Sequence, residues 1–127
     1  MEVLDTYVKA LQEHDWAALA DTLSDESLRR VGPFLDVVEG KDAYVAFLSG
    51  LMPTLQNYRL TVDRVSELPS GEAVVELREQ LDVDGVSQEF PEAIFFGFDA
   101  SGLITTVRIY IQQPGASAPV EGGSAAP

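Results

Sequence analysis

The sequence contains no cysteine and only one histidine, His14. Without cysteine the chain can form no disulfide bond and offers no thiolate nucleophile, and one histidine is too few for the usual histidine and cysteine metal clusters. We therefore expect no structural metal and no cofactor. His14 ends the first predicted helix and is expected at the surface, which makes it a poor candidate for a catalytic group.

Basic residues are also scarce. Eight lysines and arginines stand against 21 aspartates and glutamates, so the formal net charge is −13. A field of that sign repels phosphate backbones and anionic lipid headgroups, so we expect no nucleic acid partner and no membrane surface as a partner. Solubility is the simplest explanation of the acidity, and we assign it no specific role.

Long hydrophobic runs are missing as well. No apolar segment approaches the length that spans a membrane, and the N-terminal stretch "MEVLDTYVKALQEHDW" lacks a basic segment followed by an apolar one. We therefore expect a cytoplasmic protein.

The residues that are present indicate one folded domain. With 127 residues, of which 46% are hydrophobic and 23% charged, the chain has the size and composition of a single globular domain. The last segment, "PGASAPVEGGSAAP", is small, rich in proline and glycine, and has no periodic apolar face. We predict a domain over residues 1–113 and a flexible tail over residues 114–127.

Three helices are predicted in the first half of the chain. Residues 2–14 carry apolar side chains at helical spacing, and a second helical pattern follows in "DWAALADTLSDESL", where Asp15 can cap the N-terminus. The third helix is "KDAYVAFLSGLM", which stops before Pro53. Between the second and third, "RRVGPFLDVVEG" is predicted as a loop and one short strand, because glycine and proline interrupt it.

The apolar period changes to two from residue 57 onward. Four strand-like runs follow: "NYRLTVDRVSEL", "EAVVELREQLDV", "SQEFPEAIFFGFD" and "LITTVRIYIQ". The short segments between them are turn signals, so the runs should form an antiparallel meander. Pro91 in the third run predicts a bulge or the start of a strand pairing, since proline cannot donate to a ladder.

Two glutamates interrupt the apolar faces of these strands. Alternation places Glu79 in a row with Val75, Leu77, Leu81 and Val83, and it places Glu92 in a row with Phe90, Ile94, Phe96 and Phe98. A buried carboxylate without a partner is costly. Glu79 and Glu92 therefore either face a wet cavity or have partners; for Glu79 the alternative is a buried arginine or a backbone donor, and for Glu92 a solvated place at the rim.

Helices followed by a curved sheet indicate an α+β domain in which the helices cover one sheet face. In order and spacing, the segments "HDWAALADTLSDES", "GPFLDVVEGKDAYVAFL", "VELREQLDVDG" and "FFGFDASGLITTVRIYIQ" resemble the nuclear transport factor 2-like superfamily, and within it the SnoaL-like branch. The resemblance covers about residues 3–113. It implies a cone-shaped α+β barrel, with three N-terminal helices packed in a curved antiparallel sheet and a pocket at the open end.

The resemblance also implies which residues line that pocket. Tyr7 falls where ketosteroid isomerases carry a tyrosine that donates to the substrate oxygen, although a core tyrosine would fit as well. We expect the ligand to contact Trp16, Phe34, Tyr44, Leu77, Ile94, Phe96, Val107, Ile109 and Ile111. Trp16 and Tyr44 fit a core role as well. Asp36 is expected at the pocket mouth or on a turn, and Tyr58 is a further candidate to line the cone.

The chain departs from the enzymes whose catalytic residues are best defined. Gly32 and Ile94 stand where ketosteroid isomerases have their two aspartates, and Leu77 and Ile109 stand where limonene epoxide hydrolases have an arginine and an aspartate. Neither set of catalytic residues is present. The resemblance does place Glu79 near one of the pocket aspartates of the epoxide hydrolases, and Glu79 and Glu92 are our candidates for acid–base chemistry.

Two functions from different classes remain. The first, which we favour, is a cofactor-free acid–base enzyme of the isomerase, cyclase, hydratase or epoxide hydrolase class, acting on a hydrophobic small molecule. Glu79 would be the base, Glu92 the acid or a water-positioning group, and Tyr7 an oxyanion donor. The second is a non-catalytic module that binds a ligand or mediates assembly. Convergence of the two carboxyl groups on one cavity would favour the enzyme.

A homodimer is also expected. The outer sheet face mixes both charge signs with a tyrosine, in Glu76, Arg78, Gln80, Thr106, Arg108, Tyr110 and Gln112. A two-fold interface needs only a face that is complementary to itself.

Overall fold

Four long strands form the frame of the molecule. The computed structural model describes residues 1–113, and the tail predicted over residues 114–127 lies outside them. The strands are β3 (Gln56–Glu67), β4 (Ala73–Val83), β5 (Val86–Phe98) and β6 (Ile104–Ile111). Each pairs antiparallel with the next, as the alternating pattern predicts.

Two short strands extend this sheet to six. β1 (Arg29–Val31) and β2 (Val37–Glu39) form a hairpin, and β1 runs parallel to β6. The sheet order is therefore β2-β1-β6-β5-β4-β3. The sequence predicts only one short strand here, because Gly32 and Pro33 dominate the local pattern. Pairing with β6 stabilises β1, and the loop of residues 32–36 becomes the connection within the hairpin.

The helices lie on the inner face of the sheet. They are α1 (Glu2–Glu13), α2 (Trp16–Ala20) and α3 (Lys41–Leu51), and a 3-10 turn follows at Met52–Thr54. Their apolar stripes meet the inward side chains of the strands in one core. Its fully enclosed members include Leu4, Leu19, Leu23, Tyr44, Val75, Phe96, Ile104 and Val107.

The second helix is shorter than predicted. Asp15 caps it, since its Oδ1 accepts a hydrogen bond 3.1 Å from the Ala18 amide, but the helix ends at Ala20. The chain then turns to the beginning of β6, where Ile104 donates to the Thr22 carbonyl and Ser24 donates to the Ile104 carbonyl, both at 2.8 Å. These contacts lie far apart in sequence, and helical periodicity cannot reveal them.

Pro91 lies at the start of a strand pairing and not in a bulge. The β4–β5 register is unbroken through the Arg78–Pro91 pair. The β5–β6 ladder begins one residue later, at Glu92, and the Pro91 carbonyl accepts from Gln112. In an antiparallel ladder the amide and carbonyl of a residue face the same neighbour, so the proline nitrogen points past the end of β6, where no donor is required. Between β5 and β6 the register shifts instead at Gly97 and Phe98.

No helix among residues 1–113 is long and apolar enough to cross a membrane.

Candidate active site

The inner face of the sheet encloses a cavity against α1 and α3. Its volume is about 290 Å³, near the lower end of the range for small-molecule sites. Every strand except β2 contributes to the wall. Most of the wall is apolar, with Leu11, Pro33, Phe34, Phe47, Leu48, Leu51, Met52, Leu55, Leu60, Ile94, Ile109 and Ile111, and its polar members are Tyr7, Arg30, Asp36, Tyr44, Glu79 and Glu92.

Glu92 is the most deeply buried carboxyl group of this cavity. It lies on β5 between Leu77 of β4 and Ile111 of β6, and it is 8% exposed. Its Oε1 atom has no hydrogen-bond partner within residues 1–113. The alternative of a solvated rim position is therefore wrong, and Glu92 faces the cavity. The cause is the unbroken register, which keeps the Glu92 side chain on the inner face.

Burial above all raises the pKa of Glu92, from 4.5 to about 10. Hydrogen bonding with Glu79 and the negative charge of that neighbour raise it further, whereas the positive charge of Arg30 lowers it. At neutral pH Glu92 is therefore an uncharged carboxylic acid that can give up a proton.

Glu79 faces the same cavity from the adjacent strand. It lies on β4 opposite Leu60 of β3 and Phe90 of β5, which makes it a diagonal neighbour of Glu92. The Tyr58 hydroxyl donates a short hydrogen bond to Glu79 Oε2. The partner of Glu79 is thus a tyrosine, and the alternative of a buried arginine partner is wrong. The two carboxyl groups converge on one cavity, which is the arrangement that favours the enzyme.

Two tyrosine hydroxyls meet at the helical side of the cavity. The Tyr7 and Tyr44 hydroxyl oxygens are 2.5 Å apart, and both side chains are buried. Burial is the main cause that raises the pKa of Tyr7 well above its usual range and the pKa of Tyr44 to about 12. Both phenols are neutral at pH 7. Only one hydrogen is needed between them, so the other remains available for a ligand oxygen.

A buried arginine lies in the wall of the cavity. Arg30, on β1, is 6% exposed, and its Nη1 donates to Asp36 Oδ2 at 2.7 Å. Its guanidinium lies 4.6 Å from the centre of the Phe47 ring. Its Nε has no partner within the described part of the chain. Asp36 also accepts from the Phe34 amide at 3.2 Å, so it both lines the mouth and holds the turn.

The structure brings eight of the predicted site residues to the cavity wall, namely Tyr7, Phe34, Tyr44, Glu79, Glu92, Ile94, Ile109 and Ile111. Phe34 stands at the mouth and is 76% exposed. Four others do not line the cavity. Leu77, Phe96 and Val107 are buried in the core, and Trp16 stacks on His14 with ring centres 5.4 Å apart. Alternation gives the face of a strand, but it does not show how far along that face the helices fill the cone.

Sequence reasoning missed Arg30 as part of the site, and it named Tyr58 as a candidate to line the cone, whereas Tyr58 contacts Glu79 without lining the cavity. Arg30 follows another arginine in "LRRVG", where nothing in the local pattern distinguishes a buried cation. Tyr58 lies two residues before the buried Leu60, a spacing that places both side chains on the same face of β3.

A larger groove lies elsewhere and has different chemistry. It runs between α1 and β3, with a volume of about 420 Å³. Its polar side chains are Asp5, Lys9, Gln12 and Glu13, all of which are exposed. The smaller cavity is the candidate site, because its acid Glu92 is buried among apolar side chains. Residues 1–113 contain no cluster of three potential metal ligands of the His, Cys, Asp and Glu types.

A family model described as the SnoaL-like domain matches residues 4–107. The chain belongs to this SnoaL-like family. No curated protein matches the sequence. The order of helices and strands described above is thus a SnoaL-like cone, and the predicted resemblance is confirmed.

Solved structures share the same fold. A SnoaL-like protein from Shewanella denitrificans, assigned to the polyketide cyclases, has a TM-score of 0.75 at 16% identity, covering 87% of this chain and 88% of that one. The limonene epoxide hydrolase-like enzyme of Mycobacterium tuberculosis has a TM-score of 0.73 at 19% identity, with 87% and 80% covered. The epoxide hydrolase/cyclase-like enzyme SalBIII, which has a role in pyran ring formation in the polyether salinomycin, has a TM-score of 0.74 at 16% identity, with 87% and 88% covered.

Proposed function

We propose that this SnoaL-like chain is a cofactor-free acid–base enzyme acting on an uncharged hydrophobic molecule held in the cavity. One observation carries the proposal: two carboxyl groups converge on a mostly apolar cavity, and burial keeps one of them protonated. Glu92 then acts as the acid and Glu79 as the base. Placing the two protonation states side by side is what a coupled proton transfer requires.

Epoxide opening by an oxygen nucleophile uses both groups at once. Glu79 takes the proton of a water or of a substrate hydroxyl while the oxygen of that nucleophile bonds to an epoxide carbon. The carbon–oxygen bond of the ring breaks, and the leaving oxygen takes the proton of Glu92. The pair ends with Glu79 protonated and Glu92 ionised, and transfer of the proton from Glu79 back to Glu92 restores the starting state. Structural neighbours that are epoxide hydrolase-like or cyclase-like support this choice within the acid–base class.

The remaining polar groups suit the orientation of such a substrate. The Tyr7–Tyr44 pair can direct one phenolic hydrogen at a ligand oxygen, the role expected of Tyr7 as an oxyanion donor. The Arg30 guanidinium in the cavity wall provides a second donor, because its Nε has no partner among residues 1–113. These donors suit a substrate that presents oxygen acceptors to the cavity wall.

Turnover of small hydrophobic epoxides tests the proposal. We expect the wild-type protein to open at least one epoxide of a size that fits the cavity, with little action on β,γ-unsaturated ketones as the comparison substrates. Glu89→Gln serves as the control and should turn over the same epoxide as the wild type, because Glu89 lies on the outer face and pairs there with Arg78. If the protein binds compounds of both sets but converts none of them, the enzyme proposal is wrong and the chain is a ligand-binding module.

We also propose that the outer sheet face forms a homodimer. Its charges are largely paired within the subunit, with Glu76 bound to Arg64 at 2.6 Å. Tyr110 remains 54% exposed and packs edge-on against Phe95. An interface on this face would therefore depend on contacts of Tyr110 more than on ion pairs between the subunits.

Sedimentation at micromolar concentration tests this interface. The wild-type protein should sediment as a dimer, Tyr110→Glu as a monomer, and Tyr110→Phe as a dimer because the ring is kept. A monomeric wild type would refute the dimer, and a dimeric Tyr110→Glu would place the interface on another face.

A further inference from the structure

We propose that Arg30 determines substrate specificity, by donating a hydrogen bond from Nε to an uncharged oxygen of the substrate other than the oxygen that reacts. The inference rests on the proposed function and deepens it, because it names the substrate class. That class is a hydrophobic molecule that carries a second oxygen group, such as a carbonyl, ether or hydroxyl.

Arg30 Nε has no partner in the cavity wall. Among residues 1–113, two buried side-chain atoms lack a hydrogen-bond partner, namely Arg30 Nε and Glu92 Oε1, and both residues line the cavity. Leaving a buried polar atom unpaired costs free energy, and nearly all such atoms in folded proteins have a partner. Since these two atoms do not bond to each other, a molecule in the cavity is the remaining source of an acceptor for Nε.

The contact with Asp36 occupies one end of the guanidinium and leaves Nε free. Asp36 Oδ2 accepts from Arg30 Nη1 at 2.7 Å, and Asp36 Oδ1 accepts from the Phe34 amide at 3.2 Å. Both carboxylate oxygens thus have a donor already. The arrangement depends on Gly32, because a β-carbon at that position would lie 2.4 Å from Asp36 Oδ1.

The guanidinium is also held in place before any ligand binds. Arg30 is buried, and its Cζ atom lies 4.6 Å from the centre of the Phe47 ring. The ring against its face and Asp36 on Nη1 leave the guanidinium plane little freedom. A donor that is already ordered loses little conformational entropy when it binds a ligand.

Arg30 and Glu92 enter the cavity from different levels of the sheet. Arg30 lies opposite Val107 of β6, and Glu92 lies opposite Ile111 of the same strand. Four residues along a strand correspond to about 13 Å. One ligand can therefore present its reacting oxygen to Glu92 and another oxygen to Arg30.

The second oxygen is uncharged because Arg30 already has a counterion. The hydrogen bond from Arg30 holds the pKa of Asp36 below its usual range, so Asp36 is ionised and balances the guanidinium charge. A ligand anion at Nε would lie near this carboxylate and be repelled by it. An uncharged oxygen avoids the repulsion and still accepts from a charged donor, which forms stronger hydrogen bonds than a neutral one.

Arg30→Lys tests the inference, because lysine keeps the positive charge but has a methylene group where arginine has Nε. The probes are camphor, a rigid bicyclic ketone, and camphane, the hydrocarbon with the same carbon skeleton. NMR titration should show that Arg30→Lys binds camphor about 10- to 100-fold more weakly than wild type, the usual effect of losing a hydrogen bond to a charged group. The affinity for camphane should not change.

A second measurement uses only the wild-type protein. The Nε–H proton signal of Arg30 can be identified by its proximity to the Phe47 ring. It should move downfield when camphor is added and not when camphane is added, because only the ketone accepts a hydrogen bond.

Arg29→Lys is the matched control. Arg29 precedes Arg30 on β1, is exposed and pairs with Glu39 at 3.3 Å, so this variant should bind both probes as wild type does. The inference would be overturned if camphor did not bind, or if Arg30→Lys bound it as tightly as wild type. An equal loss of affinity for both probes would also overturn it, because Arg30 would then only maintain the shape of the cavity. The probes contain no epoxide, so these results are independent of the turnover that tests the proposed function.

Discussion

Glutamine in place of Glu92 is expected to stabilise the protein at pH 7 by about 3 kcal/mol, because the native state holds this carboxyl group protonated against its intrinsic preference. Glutamine has nearly the same shape, carries no ionisable proton and can donate an amide hydrogen to Glu79. For a chain of this size the gain corresponds to a rise in Tm of about 10 °C.

The pH dependence gives this expectation its sign. The folded pKa of Glu92 is raised from 4.5 to about 10, so below pH 4.5 both folded and unfolded states carry the proton. Between pH 4.5 and 10 the unfolded state loses the proton and the folded state keeps it, so wild-type stability falls as pH rises. The stability difference between Glu92→Gln and wild type should therefore grow with pH in that window and level off above it.

Urea unfolding at several pH values measures the difference, and the contributions of other groups cancel between the two proteins. Glu89→Gln is the control, since an exposed ion pair contributes little and should change stability by less than about 1 kcal/mol at every pH. The raised pKa would be contradicted if Glu92→Gln were less stable than wild type at pH 8. It would also be contradicted if the difference in free energy of unfolding between the two proteins were the same at all pH values.

Glutamine in place of Glu79 is expected to lower kcat on a productive epoxide about 100- to 10,000-fold, the usual contribution of a general base. The substitution keeps the shape of the side chain and an oxygen that can accept from Tyr58, but it removes the proton acceptor. Glu92→Gln should cause a loss of similar size by removing the acid. Glu92→Gln would thus be more stable and less active than the wild type, as expected for a residue that serves function at the expense of stability.

Steady-state kinetics of both variants and of Glu89→Gln check this expectation. The double variant should be little worse than either single one, because the two groups act in one coupled proton transfer. Glu79→Gln with wild-type kcat would exclude Glu79 as the base, and additive losses would mean that the two carboxyl groups act in separate steps.

The fold could be predicted where the signal is local. Strict alternation on β4 and β5 is enough to place Glu79 and Glu92 on the inner face, because the side-chain period of a strand leaves no other choice once one face is apolar. The early end of α2 and the pairing of β1 with β6 were not predictable, since both depend on contacts with residues far away in the sequence.

The site was predictable in part for the same reason. The two acids interrupt apolar rows, which is visible in the sequence, but the burial of Arg30 depends on the hairpin that carries it and on Phe47 of α3. The β3–β4 register shifts between Gln56 and Arg59, and this bulge is likewise invisible to a period-two pattern, although it sets the place of Tyr58. Leu77, Phe96 and Val107 share the inner face with the acids, yet they lie where the cone is filled.

The protonation state of Glu92 is the central claim, and infrared spectroscopy measures it most directly. A protonated carboxyl group absorbs in a carbonyl stretching region separate from that of a carboxylate, so the difference between wild type and Glu92→Gln isolates this side chain. At pH 7 we predict a protonated-carboxyl band in wild type that disappears only as the pH approaches about 10. Absence of that band at pH 7, with carboxylate absorption in its place, would contradict the assignment of Glu92 as a neutral acid.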